Sequence, residues 1–177
     1  MPPPITPISH LPSPALRRII RAERFCRCGG ITYGQKVHEM KRVLLIDGQG
    51  GGMGAQLAKL LLPRLPADCE LLAVGTNVLA TSAMLKAGAA RGATGENAVI
   101  YNAARADVIL GPIGILMANG ILGEVSPKMS VAVSGSEAVK VLIPASGCGI
   151  FVAGTQDCRL DDYLQNAVAL TLRALDA

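Results

Sequence analysis

Residues 43–54 read Val-Leu-Leu-Ile-Asp-Gly-Gln-Gly-Gly-Gly-Met-Gly, an apolar run that ends in five glycines within seven positions. Four successive aliphatic side chains, Val43, Leu44, Leu45 and Ile46, suit a strand covered on both faces, as central strands of parallel sheets are. Glycine at 48, 50, 51, 52 and 54 strips the next turn of side chains. Its backbone can then take positive φ, and its N–H groups can be approached closely. Past Met53, apolar residues Ala55, Leu57, Ala58, Leu60, Leu61 and Leu62 recur at helical spacing, which predicts a helix over about 53–63. Strand, bare turn and helix N-terminus commit this region to a βα unit, and such a unit can hold an anion, usually a phosphate.

The rest of the chain alternates in the same way. Half of its 177 residues are hydrophobic but only 3% are aromatic, so the core must be built from Val, Ile, Leu, Ala and Met. Pro63 and Pro66 stop the first helix, and 71–74 reads as a second strand. Residues 81–90 have helical composition and end at Gly92. Residues 97–106 read as a helix with Glu96 in its first turn, where a carboxylate suits the helix dipole. A third strand at 108–110 is broken by Gly111 and Pro112, and a helical turn or two follows over 115–121. Ser126 as N-cap and Pro127 at the first helical position open another short helix. Residues 139–143 read as a fourth strand, 150–152 as a fifth and 160–175 as a closing helix. The alternation predicts an α/β fold: a three-layer, Rossmann-like parallel sheet of about five strands with helices on both faces.

In such sheets ligands collect at the carboxyl ends of the strands. Asp47 with the glycine turn, Gly75-Thr76-Asn77, Gly111-Pro112-Ile113-Gly114 and Pro144-Ala145-Ser146 are therefore expected along one edge. The spacing Gly48-x-Gly50-x-x-x-Gly54 is looser than G-x-G-x-x-G, and Met53-Gly54-Ala55 stands where a Walker A loop needs Lys-Ser or Lys-Thr. A small phosphate-bearing ligand, a nucleotide or dinucleotide, is expected on Gly48, Gln49, Gly50, Gly51, Gly52, Met53 and Gly54, with Gly111 and Pro112 on the neighbouring turn. The alternative is a tight structural turn. NAD and NADP are the cofactors this context admits. NAD sites, however, usually place an acid after the second strand to hold the ribose, and this chain has Thr76 and Asn77. Those two can bond a ribose or a 2′-phosphate, or merely end the strand and cap the next helix.

Two carboxylates are candidates for catalytic roles. Asp47 can act as a magnesium ligand, a base or a ribose contact, or can bond the loop's own amides, as Asp does in turns. Glu96 can join it at the same edge or simply cap a helix. Asn119, before Gly120, suits a helix terminus. Cys148 has no histidine to activate it, since residues 40–177 contain none. That absence excludes histidine triads, histidine metal sites and histidine proton shuttles from this region, and no metal is expected. Lys86 and Tyr101 lack the Tyr-x-x-x-Lys spacing of short-chain dehydrogenases.

The net charge of +4 belongs to residues 1–39, where six basic side chains face two acidic ones. Residues 40–177 carry 11 of each sign, so neither nucleic acid nor an acidic membrane is an expected partner. The first 39 residues hold six of the 11 prolines and both histidines, His10 and His38. Three readings are open for this leader: an upstream extension with the working protein starting at Met40, a disordered arm, or a targeting peptide. Residues 40–177 are expected to form one Rossmann-like domain. The uncharged run at 108–123 is 16 residues long, contains Pro112 and is too short to span a bilayer. Five scattered cysteines form neither a disulfide framework nor a zinc pattern, which points to a reducing cytoplasm.

The segments Ile-Asp-Gly-Gln-Gly-Gly-Gly-Met-Gly (46–54), Gly-Thr-Asn-Val-Leu-Ala-Thr-Ser-Ala-Met-Leu-Lys-Ala-Gly-Ala (75–89) and Gly-Ala-Thr-Gly-Glu-Asn-Ala (92–98) carry a further signal. Together with Ala-Asp-Val-Ile-Leu-Gly-Pro-Ile-Gly-Ile (106–115) and Gly-Glu-Val-Ser-Pro (123–127), they resemble an uncharacterised bacterial family, the domain of unknown function 3842. The resemblance covers nearly all of residues 40–157. It implies a short stand-alone, Rossmann-like domain starting near Met40, with no assigned chemistry. Turnover in so small a domain would need a partner or a homo-oligomer to complete the site. Whether the chain is an enzyme therefore stays open against two alternatives, a non-catalytic ligand sensor or subunit and an oligomeric scaffold whose glycines serve packing.

Overall fold

The computed structural model describes residues 40–145, 150, 152, 153, 155 and 158–176. The leader at 1–39, residues 146–149 with Ser146 and Cys148, and Phe151 lie outside the described residues. Ten regular elements follow in order: β1 (Lys41–Asp47), α1 (Gly52–Leu61), β2 (Cys69–Gly75), α2 (Val78–Lys86), β3 (Arg91–Thr94), α3 (Glu96–Ala103), β4 (Val108–Pro112), α4 (Pro127–Ser134), β5 (Val139–Ile143) and α5 (Leu160–Asp176). Short 3-10 turns follow α1 at Leu62–Arg64 and β4 at Ile113–Leu116.

All strand pairs are parallel, in the order β3-β2-β1-β4-β5. The aliphatic run of β1 takes the centre because both its faces are covered. Leu44 pairs with Leu72 of β2 on one side and with Ile109 of β4 on the other. Val43 and Leu45 belong to one core cluster, with Leu57 and Leu61 of α1, Met84 of α2 and Leu164 and Val168 of α5. Leu44 and Ile46 belong to the second, with Val99 of α3 and Met129 and Val133 of α4. The period of two along β1 thus divides its side chains between two helical layers, and the fold is the expected three-layer α/β sheet. The chain runs outward from β1 through β2 to β3, then returns to place β4 on the other flank of β1. That reversal opens a crevice between β1 and β4 at their carboxyl ends.

Several elements differ from the sequence expectation. The fifth strand is Arg91–Thr94, at the sheet edge, whereas Ile150 and Val152 belong to no strand. β4 runs on through Gly111 and Pro112, which pair with Leu142 and Ile143 of β5. Gly111 permits this because a side chain there would collide with the carbonyl oxygen of Ile46. Helix α2 begins three residues early, since the Asn77 side chain caps it by accepting the Ala80 amide at 2.9 Å. No helix among the described residues is long and apolar enough to cross a membrane.

Candidate functional site

The five glycines of the β1–α1 turn divide into two groups. Gly51 has φ of 69°, in the left-handed region, and a side chain there would meet the backbone of Ala80 at 2.6 Å. Gly48 is closed in by Glu124, Thr76 and Ile121, and Gly54 by Met84 and Asp47. These three positions need glycine for packing or for the turn itself. At Gly50 and Gly52, by contrast, an added Cβ would meet no atom within 4 Å, and neither has a left-handed φ. Both open into a cleft of about 560 Å³ that also receives Pro112, Gly114, Met117, the 119–122 segment and Ala145.

Asp47 clasps the turn from below. It is 6% exposed, and its Oδ1 accepts the Gly48 amide at 2.8 Å while Oδ2 accepts that of Gly54 at 2.6 Å. Burial pushes its carboxyl above the ordinary range, against the pull of those two amides, and the nearby Glu124 charge adds to the rise. Both oxygens thus serve the loop's own backbone. The Gly51 amide bonds Gly48 and the Gln49 amide bonds Glu124. The amides of Gly50, Gly52 and Met53 donate no hydrogen bond among the described residues, and all three residues line the cleft. Gly52 and Met53 open α1, so their N–H groups lie at the positive end of a ten-residue helix.

Thr76 and Asn77, at the end of β2, do not line the cleft; both hydrogen-bond Glu124, which the sequence reading passed over. Its Oε2 accepts from the Thr76 hydroxyl, from the Asn77 amide group at 2.9 Å and from the Gln49 backbone at 2.9 Å. Burial works to raise its pKa, but the hydrogen bonds from Thr76, Gln49 and Asn77 together outweigh it and hold the carboxyl below its ordinary value. Glu124 ends a loop in which Asn119, Ile121 and Leu122 all have φ between 53° and 62°. Non-glycine residues seldom adopt that conformation, and it gathers at binding sites.

The other anticipated residues fall into place less directly. Glu96 accepts from the Ser126 hydroxyl at 2.5 Å and lies 3.8 Å from Lys128, so it joins the starts of α3 and α4 and does not line the cleft. The carboxylate that shares an electrostatic interaction with Asp47 is Glu124. Gly111 serves the β4–β1 contact, whereas Pro112 lines the cleft.

A parallel sheet ordered 3-2-1-4-5, with a glycine turn and an open cleft at its switch point, defines a Rossmann-like α/β protein. Residues 42–176 match the family described as domain of unknown function 3842, and the chain belongs to that family. No curated protein matches it in sequence. Among solved structures it is similar to a dodecameric FMN-dependent UbiX-like decarboxylase from Escherichia coli O157:H7. The two share 16% identity at a TM-score of 0.42, over 78% of this chain and 96% of that one.

Proposed function

We propose that the chain binds a phosphate-bearing nucleotide or dinucleotide in the cleft over the glycine turn. The pair Gly50 and Gly52 carries this reading. Neither packing nor backbone conformation requires glycine at either position, whereas close approach of a ligand to the backbone does. The unengaged amides of Gly50, Gly52 and Met53, at a helix N-terminus, supply donors suited to phosphate oxygens. The cleft volume falls within the range of small-molecule sites, about 300–1,000 Å³. Thr76 and Asn77 lie beside the turn but outside the cleft lining, bonded to Glu124, so a sugar contact there would need the ligand to extend past the turn. NAD or NADP are the dinucleotides to try first.

Asp47 is the one ionisable residue that lines the cleft among the described residues, and its oxygens are taken by the turn. This observation favours a sensor or an oligomeric subunit over an enzyme complete within one chain; turnover would draw its acid–base group from a partner or a second copy. Thermal-shift measurements on the full chain with NAD, NADP, ATP and inorganic pyrophosphate test the binding reading. A ligand raises the melting temperature by mass action. The expected shift is abolished in Gly52→Ala, whose unliganded melting temperature stays at the wild-type value. A wild type that shifts with none of the four overturns the reading.

A further inference from the structure

Dinucleotide-binding sheets commonly place an acid at the carboxyl end of the second strand, where it accepts the ribose hydroxyls. Here that end carries Thr76 and Asn77, yet a carboxylate stands there all the same. Glu124, delivered from the loop between β4 and α4, places Oε2 on the Thr76 hydroxyl, the Asn77 amide group and the Gln49 backbone amide. We infer that Glu124 supplies in space the acid that β2 lacks in sequence, and that it selects a ribose with a free 2′-hydroxyl over one bearing a 2′-phosphate. The inference rests on the phosphate-binding reading above.

Position is the main support. The carboxylate stands beside the cleft, not in its lining. It bridges Gln49 of the glycine turn and the β2 end, the two places that a phosphate and its ribose occupy together in such sheets. Its bonding capacity agrees. All three donors converge on Oε2, while Oε1 takes no hydrogen bond among the described residues and keeps its lone pairs for a ligand hydroxyl. Charge sets the selectivity. No arginine or lysine is among the hydrogen-bond partners of Glu124, so a 2′-phosphate brought to this place would face an uncompensated carboxylate. The competing role is a purely structural one, in which Glu124 only ties the 117–124 loop to the turn.

Calorimetric titration of the full chain separates the two roles, with ADP, 2′-deoxy-ADP, ADP carrying a 2′-phosphate, and inorganic pyrophosphate as probes. The wild type is expected to bind ADP at least about tenfold more tightly than 2′-deoxy-ADP, the scale of one charge-assisted hydrogen bond, and the 2′-phosphorylated form more weakly still. Glu124→Gln keeps one acceptor oxygen for the Gln49 N–H, so it is expected to remove both preferences while pyrophosphate still binds. The ratio of ADP to 2′-deoxy-ADP in the wild type decides the matter even where Glu124→Gln does not fold. Equal binding of those two, or discrimination that survives in Glu124→Gln, overturns the inference; so does pyrophosphate binding without ADP binding. In each of these cases bound pyrophosphate leaves the phosphate cradle standing. Failure of every probe to bind the wild type removes the cradle and the inference together.

Discussion

Glu124 Oε2 accepts the Gln49 backbone amide at 2.9 Å, across 75 residues of chain. Gln49, Asn119, Ile121 and Leu122 are the non-glycine residues with positive φ among the described residues, and this bond joins the two segments that hold them. Left-handed backbone costs an ordinary residue about 1–2 kcal/mol, so each segment needs outside support to keep its shape. The carboxylate provides that support to both.

Removing it with Glu124→Ala strands the Thr76 hydroxyl and the Gln49 N–H, and leaves the Asn77 amide group only its bond to the Gln49 carbonyl. A loss of about 1–3 kcal/mol in unfolding free energy is expected, toward the lower end because the group is only partly buried. Urea titration measures the loss. Hydrogen exchange locates it: the amides of Asn119, Gly123 and Val125, which bond within the loop, should exchange faster. Wild-type exchange at those three positions would show that the loop holds its own shape.

The glycines of the turn should separate by stability. Gly50→Ala and Gly52→Ala introduce a methyl group into open space and are expected to lie within about 0.5 kcal/mol of wild type or slightly above it. Gly54→Ala drives a Cβ to 2.6 Å from Met84 Sδ and 2.9 Å from Asp47 Cβ, and should cost about 1–3 kcal/mol. Gly51→Ala meets backbone atoms of Ala80, which cannot swing aside, and also forces a left-handed alanine. It should be the least stable of the four by chemical denaturation.

How much of this was legible follows from how local each signal is. The β1–α1 unit was readable because apolar run, glycines and helical spacing lie side by side within 20 residues. The Ser126–Pro127 helix start was readable for the same reason. β3 was not: Arg91-Gly92-Ala93-Thr94 is mostly exposed at the sheet edge, pairs with one neighbour only and carries no apolar alternation. Ile150 and Val152 misled in the opposite sense, since apolar character alone does not make a strand and neither residue belongs to one. Within the site, Asp47 and the cleft-lining glycines follow from the fold. Glu124 could not be found that way, because its partners lie 47 to 75 residues upstream and the Gly-Glu-Val-Ser-Pro segment that holds it, although part of the family resemblance, has no chemical role assigned to it.

Asp47→Asn is isosteric but supplies one acceptor oxygen where the turn uses two. One of the Gly48 and Gly54 amides would then face an NH2 group in a buried position. A loss of about 1–3 kcal/mol is expected, and weaker ligand binding with it, because the clasp that shapes the turn opens. Asp47→Ser, with one hydroxyl oxygen in place of the two carboxylate oxygens that serve Gly48 and Gly54, should be no better by either measure. A stable Asp47→Asn that binds ligand like the wild type would show that the turn is held without the clasp.

The two carboxylates beneath the turn should respond to pH with opposite signs. Glu124 is held below its ordinary value of 4.5, so its unfolded form takes up protons first. Its stabilising contribution is complete above pH 4.5 and is lost as pH falls through its folded value. Asp47 is held above its ordinary value of 3.8. What it contributes is therefore full below pH 3.8 and is lost as pH rises through its folded value. Measured against non-titrating references between about pH 6 and pH 3, the stability difference between wild type and Glu124→Gln should shrink on acidification. That between wild type and Asp47→Asn should move the other way. Salt should damp the Glu124 effect more, since that group is partly exposed and Asp47 is buried. Two differences that fall together would mean that the shifts are set by something other than the shared turn.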